Sequence, residues 1–243
     1  MKSVIFELTE NKKIAKNTYR WVLSGDTSDI TSPGQFVNIK LDGFYLRRPI
    51  SVCDAEEGRL TLIFKAVGEG TEKMAKMPLG EKLDILSGLG NGYTLAESGD
   101  KPLLVGGGAG VPPMYMLAKE LIREGKAPTV ILGFGSSDEV FYKEEFLALG
   151  ARVIVATADG SMGVKGFVTD ALSGVDYTYF YTCGPEPMLK ALYDKTETSG
   201  QLSFEERMGC GFGACMGCSC KTKYGNKRIC RDGPVLVKEE IIW

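Results

Sequence analysis

Histidine is missing from all 243 residues. Its absence removes the commonest general base at neutral pH. With it go the Ser–His–Asp triad, the Cys–His nucleophile pair, the histidine-ligated zinc site and the Rieske type of iron–sulfur centre, which needs two imidazoles. A strong charge of either sign is missing too. Lys and Arg number 29 against 31 Asp and Glu, a net charge of −2, which gives no support to nucleic-acid or membrane-surface binding as the main activity. No apolar run approaches the roughly 18 residues of a membrane span, and the opening MKSVIFELTENKK alternates like a strand, unlike a signal peptide. A reducing, cytoplasmic setting is therefore expected, where the seven cysteines bind metal more readily than each other. What remains, 44% hydrophobic and 25% charged, is a globular composition on a chain long enough for one large or two ordinary cores.

Four of the cysteines carry the sharpest signal. Cys210, Cys215 and Cys218 follow a C-x4-C-x2-C spacing and Cys230 comes twelve positions later. The plant-type ferredoxin run spaces three thiolates in this way around a [2Fe–2S] cluster. Zinc knots prefer paired short hooks, of which there is only one here, and disulfides need an exported chain. Gly209, Gly211, Gly213 and Gly217 would let the backbone curl around an inorganic core and aim N–H groups at its sulfurs. Arg207, Lys221, Lys223, Lys227, Arg228 and Arg231 would offset a negative cluster. Cys53 reads as core, and Cys220 as packing behind the cluster.

Along the chain the expected organisation has three parts. Residues 1–99 form a small antiparallel β-barrel, with short strands at Val4–Leu8, Thr18–Leu23, Phe36–Leu41 and Leu60–Lys65, and one helix at Gly70–Lys76. Residues 100–200 alternate strands with helices, which predicts βαβ units and a parallel sheet. Its strands fall at Pro102–Val105, Thr129–Gly133, Arg152–Ala156 and Tyr177–Thr182. Its helices start near Pro113 and then cover Tyr142–Leu149, Phe167–Leu172 and Pro187–Thr196. Residues 201–243, rich in Cys and Gly, are too few to fold on a core of their own.

Weaker motifs lie on this frame. Gly106, Gly107, Gly108 and Gly110 sit between a strand and a helix, where a phosphate can approach bare backbone or where the chain simply turns tightly. Cys183, Gly184 and Pro185 close the last parallel strand, where a nicotinamide could rest or a small residue could precede a turn. Arg47 and Arg48 precede Pro49, Ile50 and Ser51, a hexapeptide suited to a pyrophosphate and a flavin edge or to an exposed basic strand. Gly70 and Thr71 open the barrel's helix as a second phosphate contact or a plain cap. Asp159-Gly160-Ser161 reads as a loop over the nucleotide site. No acidic ribose contact separates NAD from NADP.

Taken in order, several segments together resemble the ferredoxin-NADP reductase family from end to end. They are Pro33-Gly34-Gln35-Phe36, Arg47–Ser51, Gly68-Glu69-Gly70-Thr71, Leu83–Gly92, Gly106–Pro112, Asp159–Ser161, Cys183–Pro185 and Glu206–Gly211. Within that family they resemble the electron-transfer subunits of class B dihydroorotate dehydrogenases. The resemblance implies that the barrel binds FAD through Arg48, Pro49, Ile50 and Ser51, with Ile63, Phe64 and Lys65 flanking the flavin and Gly70 and Thr71 holding phosphate. It implies NAD on the parallel sheet, at the Gly106–Gly110 and Cys183–Pro185 loops. It further implies a [2Fe–2S] cluster on Cys210, Cys215, Cys218 and Cys230. The partner it implies is an FMN-containing dihydroorotate dehydrogenase catalytic subunit, in a heterotetramer of two chains each, passing electrons to NAD+ in pyrimidine biosynthesis. A gamma-type subunit of a sulfhydrogenase or of an NADPH-ferredoxin oxidoreductase would share every cofactor. A non-enzymatic iron–sulfur redox sensor would have no use for the Arg48–Ser51 and Cys183–Pro185 segments.

Overall fold

The computed structural model describes residues 1–243. Six antiparallel strands close into the expected barrel: β1 (Lys2–Ala15), β2 (Thr18–Ser24), β3 (Phe36–Ile39), β4 (Arg48–Glu56), β5 (Arg59–Lys65) and β6 (Lys82–Leu89). They pair in the order β1-β2-β5-β4-β3-β6, and β6 returns to β1. Period-two alternation builds the wall, because successive side chains point to opposite faces. Trp21, Leu23, Val37, Ile39, Leu60, Leu62 and Ile85 fill the interior, and closure leaves no unpaired edge. A single short helix, α1 (Glu69–Ala75), lies between β5 and β6.

The second unit is a parallel sheet with helices. It runs β7 (Pro102–Gly107), α2 (Val111–Arg123), β8 (Thr129–Phe134), α3 (Lys143–Ala148), β9 (Arg152–Thr157), β10 (Val164–Lys165), β11 (Tyr179–Cys183), α4 (Glu186–Lys195) and β12 (Gly200–Ser203). The tail adds a hairpin, β13 (Ser219–Thr222) and β14 (Gly225–Arg228), and a last strand, β15 (Val235–Val237). Spatial order in the large sheet is β10-β9-β8-β7-β11-β12-β15, with only β15 antiparallel to its neighbour. The chain climbs outward from β7 to β10 and then returns to β11 on the other side of β7. That reversal is a topological switch point, and ligands of open α/β sheets bind at the strand ends beside it.

Two expectations change. The helix expected over Phe167–Leu172 is a three-residue 3-10 turn, Asp170–Leu172. The carboxylate of Asp170 accepts the Phe167 N–H, and Gly166 holds a positive φ of 120°, so the segment turns before it can propagate. The expected boundary at residues 200/201 falls inside β12. Ile229, Leu236 and Ile241 of the tail share one buried cluster with Leu103, Val105 and Phe180 of the sheet. The tail, too short for a core of its own, borrows one.

The barrel meets the sheet through α2 packed on β4. Lys119 of α2 donates to both carboxylate oxygens of Asp54 at 3.0 and 2.8 Å and to Glu56 at 2.8 Å. Tyr93, on the connection out of the barrel, donates its hydroxyl to the Thr182 carbonyl at 2.9 Å. No helix is long and apolar enough to cross a membrane.

Candidate functional site

The first element of the site is the outer face of β4. Residues directly opposite in adjacent strands share a face. Pro49 opposes Asn38 and Ser51 opposes Phe36. Val37 belongs to the barrel interior and Ile50 packs against that interior, so Pro49 and Ser51 face outward and Ile50 does not. The two arginines have different fates. Arg47 is held by Asp84 through a two-pronged pair at 2.8 and 3.2 Å and also donates to the Asn38 and Asp84 carbonyls, so its guanidinium is committed within the barrel. Arg48 lies over the Phe44 ring, 4.7 Å from its centroid, and donates one N–H to the Leu46 carbonyl. A β-carbon on Gly70 would fall 2.2 Å from Arg48 Nε. Glycine at 70 thus lets a guanidinium lie against the start of α1, and Arg48 and Gly70 come together as the phosphate reading requires. The Thr71 hydroxyl accepts from the Val67 and Gly68 N–H groups and donates to the Gly68 carbonyl. It builds the turn, and any contact it makes with phosphate falls to its backbone.

The second element is the cleft between barrel and sheet. Ile63, Phe64 and Lys65 of β5 line it with Gly108, Phe134 and Glu139 across the seam. Phe64 turns its ring into the barrel, edge-on to Trp21 at 5.2 Å, so it offers the cleft its backbone and not a flanking ring. Lys65 pairs with Glu139 at 3.3 Å.

At the switch point, Gly106 and Cys183 are register partners on β7 and β11. The glycine run packs tightly here. A β-carbon would meet the Cys183 carbonyl oxygen at 2.1 Å from Gly110, Met188 Sδ at 2.5 Å from Gly107, and Val111 Cα at 2.8 Å from Gly106. Gly108 alone faces open space, at φ +50°. Helix α2 begins at Val111, two residues earlier than expected, and Pro112 and Pro113 stand in its first turn. Both lack an N–H, so this helix end has few donors for a phosphate. Gly184 and Pro185 sit against Met188 and Gly107. Burial pushes the Cys183 thiol up to about 12, so at neutral pH it is a neutral, uncharged wall. Asp159 is exposed, its carboxylate held by the Ser161 N–H and hydroxyl.

The third element is the cysteine loop. Cys218 and Cys230 are buried, Cys210 is half-buried and Cys215 exposed. The Ala214 and Cys215 N–H groups donate to Cys210 Sγ at 3.2 and 3.4 Å, and the Cys230 N–H donates to Cys218 Sγ at 3.4 Å. The sulfurs stand as these two pairs, and no three are gathered into a closed ligating group. Burial would raise the Cys210 thiol, but the backbone donors of Phe212, Cys215 and Ala214 outweigh it and lower it to about 6. A β-carbon on Gly209 or Gly217 would lie 3.3 or 3.5 Å from Cys215 Sγ. Four thiols, N–H groups aimed at sulfur and bare backbone beside them fit an iron–sulfur group. Cys53 is fully buried in the core between barrel and sheet, and Cys220 is half-buried against the separate cluster that holds Cys218 and Cys230.

Several structural residues escaped the sequence. Arg228 is not free to offset cluster charge. It forks onto Asp232 at 2.9 and 3.1 Å and donates to the Gly213 carbonyl at 3.0 Å, fastening the loop. Lys227 is likewise committed to the buried Glu240. The Arg-x3-Asp spacing was the only available hint. Asn91 mimics a strand, donating to the Val235 carbonyl and accepting its N–H, and so pins the tail to the barrel.

Residues 205–242 match the iron-sulfur cluster binding domain of dihydroorotate dehydrogenase B, and residues 104–194 match the oxidoreductase NAD-binding domain. A protein of Bacillus mycoides named dihydroorotate dehydrogenase B (NAD(+)), electron transfer subunit, is 45% identical over 97% of this chain and 96% of its own length. The chain belongs to the dihydroorotate dehydrogenase B electron transfer subunit family. A relative of the same name from Fusobacterium nucleatum is 44% identical over 96% of this chain and 95% of its own. Family membership agrees with the barrel, parallel sheet and cysteine tail in the expected order. A solved structure of the NADH-dependent reduced ferredoxin-NADP oxidoreductase, 30% identical, superimposes with TM-score 0.89 over 98% of this chain and 90% of that one. A ferredoxin NADP+ reductase from Neisseria gonorrhoeae with bound FAD and NADP, 20% identical at TM-score 0.67 over 80% of this chain and 90% of that one, shares the fold.

Proposed function

We propose that this chain is the electron relay of a cytoplasmic NAD-linked dihydroorotate dehydrogenase, taking electrons from an FMN-containing catalytic subunit in a heterotetramer and delivering them to NAD+. The observation that carries the reading is the arrangement on the barrel wall. The face of β4 bearing Pro49 and Ser51 lies between the cysteine loop, which touches β3, and the nucleotide cleft, lined by β5.

Each part of the chain has a task. Cys210, Cys215, Cys218 and Cys230 hold a [2Fe–2S] group. Cys215 is exposed beside Phe212 and Met216, which are 41% and 54% exposed, so the outer side of this loop is where the partner docks. Arg48 and Gly70 hold the FAD pyrophosphate against α1, and the Ile63–Lys65 backbone lines the ring's edge of the cleft. Cys183 and the glycine loop wall the nicotinamide. When bound, FAD can hold one or two electrons and so joins a one-electron cluster to a two-electron hydride acceptor. The chain supplies position and potential, and without histidine it has no obvious acid or base to supply more.

Anaerobic purification tests this. The chain should carry iron, acid-labile sulfide and FAD, and should reduce a dye with NADH. Adding a dihydroorotate-oxidising flavoprotein should couple dihydroorotate to NAD+ reduction. Zinc in place of iron, or no flavin, would sink the reading. The likeness to the NADH-dependent ferredoxin-NADP oxidoreductase favours a second reading, a ferredoxin-coupled reductase subunit. It gains if the chain couples to ferredoxin and not to dihydroorotate oxidation.

A further inference from the structure

Six buried side-chain polar atoms lack a hydrogen-bond partner, and among them only that of Asn38 stands beside the cysteine loop. Asn38 lies in the middle of β3, 1% exposed, and its Oδ1 has no hydrogen-bond partner. An orphaned buried carbonyl is costly, and native proteins keep one where something outside the chain completes it.

Its surroundings say what that something is. Val37 and Ile39, its neighbours in sequence, point into the barrel core. Phe36 points the other way, into the cluster of buried residues that holds Cys218 and Cys230. Asn38 therefore points outward with Phe36. It opposes Pro49, which with Ser51 forms the outer face of β4. Its amide also touches the cysteine loop: a β-carbon on Gly211, the residue after Cys210, would fall 2.3 Å from Asn38 Nδ2. Gly211 holds a positive φ of 78°, a conformation that favours glycine. The loop is thus bent so that bare backbone lies against this amide. Arg47 fixes the strand from behind, donating to the Asn38 carbonyl at 3.3 Å.

We infer that Asn38 is a positioning residue between the two redox groups, its amide N–H donating to the sulfur side of the Cys210 loop and its Oδ1 completed by a donor of the flavin bound on that face of β4. The inference rests on the reading of flavin and cluster given above. A hydrogen-bond donor beside an iron–sulfur group stabilises its reduced, more negative state and raises its potential. An amide shared by both groups sets the spacing between them and the potential gap across it.

The test is an anaerobic redox titration of the purified holoprotein, followed by electron paramagnetic resonance of the reduced cluster, with iron, sulfide and FAD counted first. Asn38→Leu keeps the volume and removes the donor. It should lower the cluster midpoint potential and alter its resonance line shape, with FAD and iron stoichiometry unchanged. Asn38→Thr keeps a hydroxyl donor and should shift the potential less. If Asn38→Leu loses iron, Asn38→Thr decides: a downward shift with iron retained supports the role. Potentials and spectra equal to the parent in a variant that keeps its cofactors would overturn it and reduce Asn38 to a packing residue. A parent protein lacking iron or FAD would instead bring down the functional reading, and this inference with it.

Discussion

Replacing Lys119 with Met should loosen the seam between barrel and sheet. Lys119 and Asp54 have side chains only 12% and 17% exposed, while Glu56 is 50% exposed. Removing one partner of a fully buried pair costs about 3–5 kcal/mol, because a charge is left without compensation. A surface pair costs at most about 1 kcal/mol. Here Asp54 is stranded and Glu56 can rehydrate, which places the loss near the lower end, at about 3 kcal/mol. For a chain of this size that is a fall in Tm of about 6–12 °C. Methionine retains most of the aliphatic stem, so the loss reports charge and not packing. In a double-mutant cycle, Asp54→Asn should recover part of it, since the neutral amide no longer needs the cation. The pH dependence has a definite sign. The hydrogen bond from Lys119 holds the Glu56 carboxyl below the usual carboxylate range. Its contribution is present above about pH 4.3 and is lost as pH falls through the lower folded value, and Lys119→Met should lack that step. Thermal melts of the four proteins decide. A Tm within about 2 °C of the parent, or additive effects of the two substitutions, would refute a buried seam pair.

Other substitutions separate the parts. Cys215→Ser should abolish the visible iron–sulfur spectrum while FAD absorbance largely survives; an intact cluster spectrum would remove Cys215 from the ligand set. Gly110→Ala drives a β-carbon to 2.1 Å from the Cys183 carbonyl, an overpacking that costs about 1–3 kcal/mol of stability, and should raise the KM for NADH with both other cofactors retained. Arg47→Met should keep FAD but lose about 2 kcal/mol of stability, whereas Arg48→Met should lose FAD. The Arg47 pair holds the Asp84 carboxyl below its usual range. The parent should therefore lose this contribution as pH falls below about 3.9, and acid titration of Arg47→Met should show a smaller loss, since the Ser3 hydroxyl still donates to Asp84.

Legibility followed the length over which a pattern must hold. The interior positions of the barrel and the apolar runs of β7, β8 and β9 are set by burial on one or two faces, so period and composition display them. The cysteine quartet is a spacing along one loop, readable without a fold. β1 was legible only at Val4–Leu8, because its second half, Glu10–Ala15, is polar and half-exposed while still laddered to β2. β15 has three residues and exists only because β12 offers it an edge. Arg47 and Arg48 are adjacent in sequence, and nothing in a hexapeptide says that one faces Asp84 and the other Gly70; register decides it. The glycine run admits both a phosphate loop and a tight turn in sequence, and in the structure three of its four glycines make room for neighbouring protein atoms. Glycine records a need for closeness without naming the neighbour.

On the proposed reading, the order of the redox groups is a consequence of strand order. β3, β4 and β5 are consecutive in the barrel wall. The first presents Phe36 and Asn38 to the cysteine loop, the second presents Pro49 and Ser51, and the third ends at Ile63–Lys65 in the cleft opposite Gly108. Neighbouring strands lie about 4.8 Å apart, so the three span about 10 Å of wall. No element has to move for the inlet, the middle and the outlet of a relay to lie side by side. What must be controlled is the seam, because the outlet belongs half to the barrel and half to the sheet. The buried Lys119 pair, the Tyr93–Thr182 bond and the Lys65–Glu139 pair all bridge that seam, and two of the three flank the cleft or the switch point itself. In the proposed relay geometry is the main means of control, and these bridges fix it.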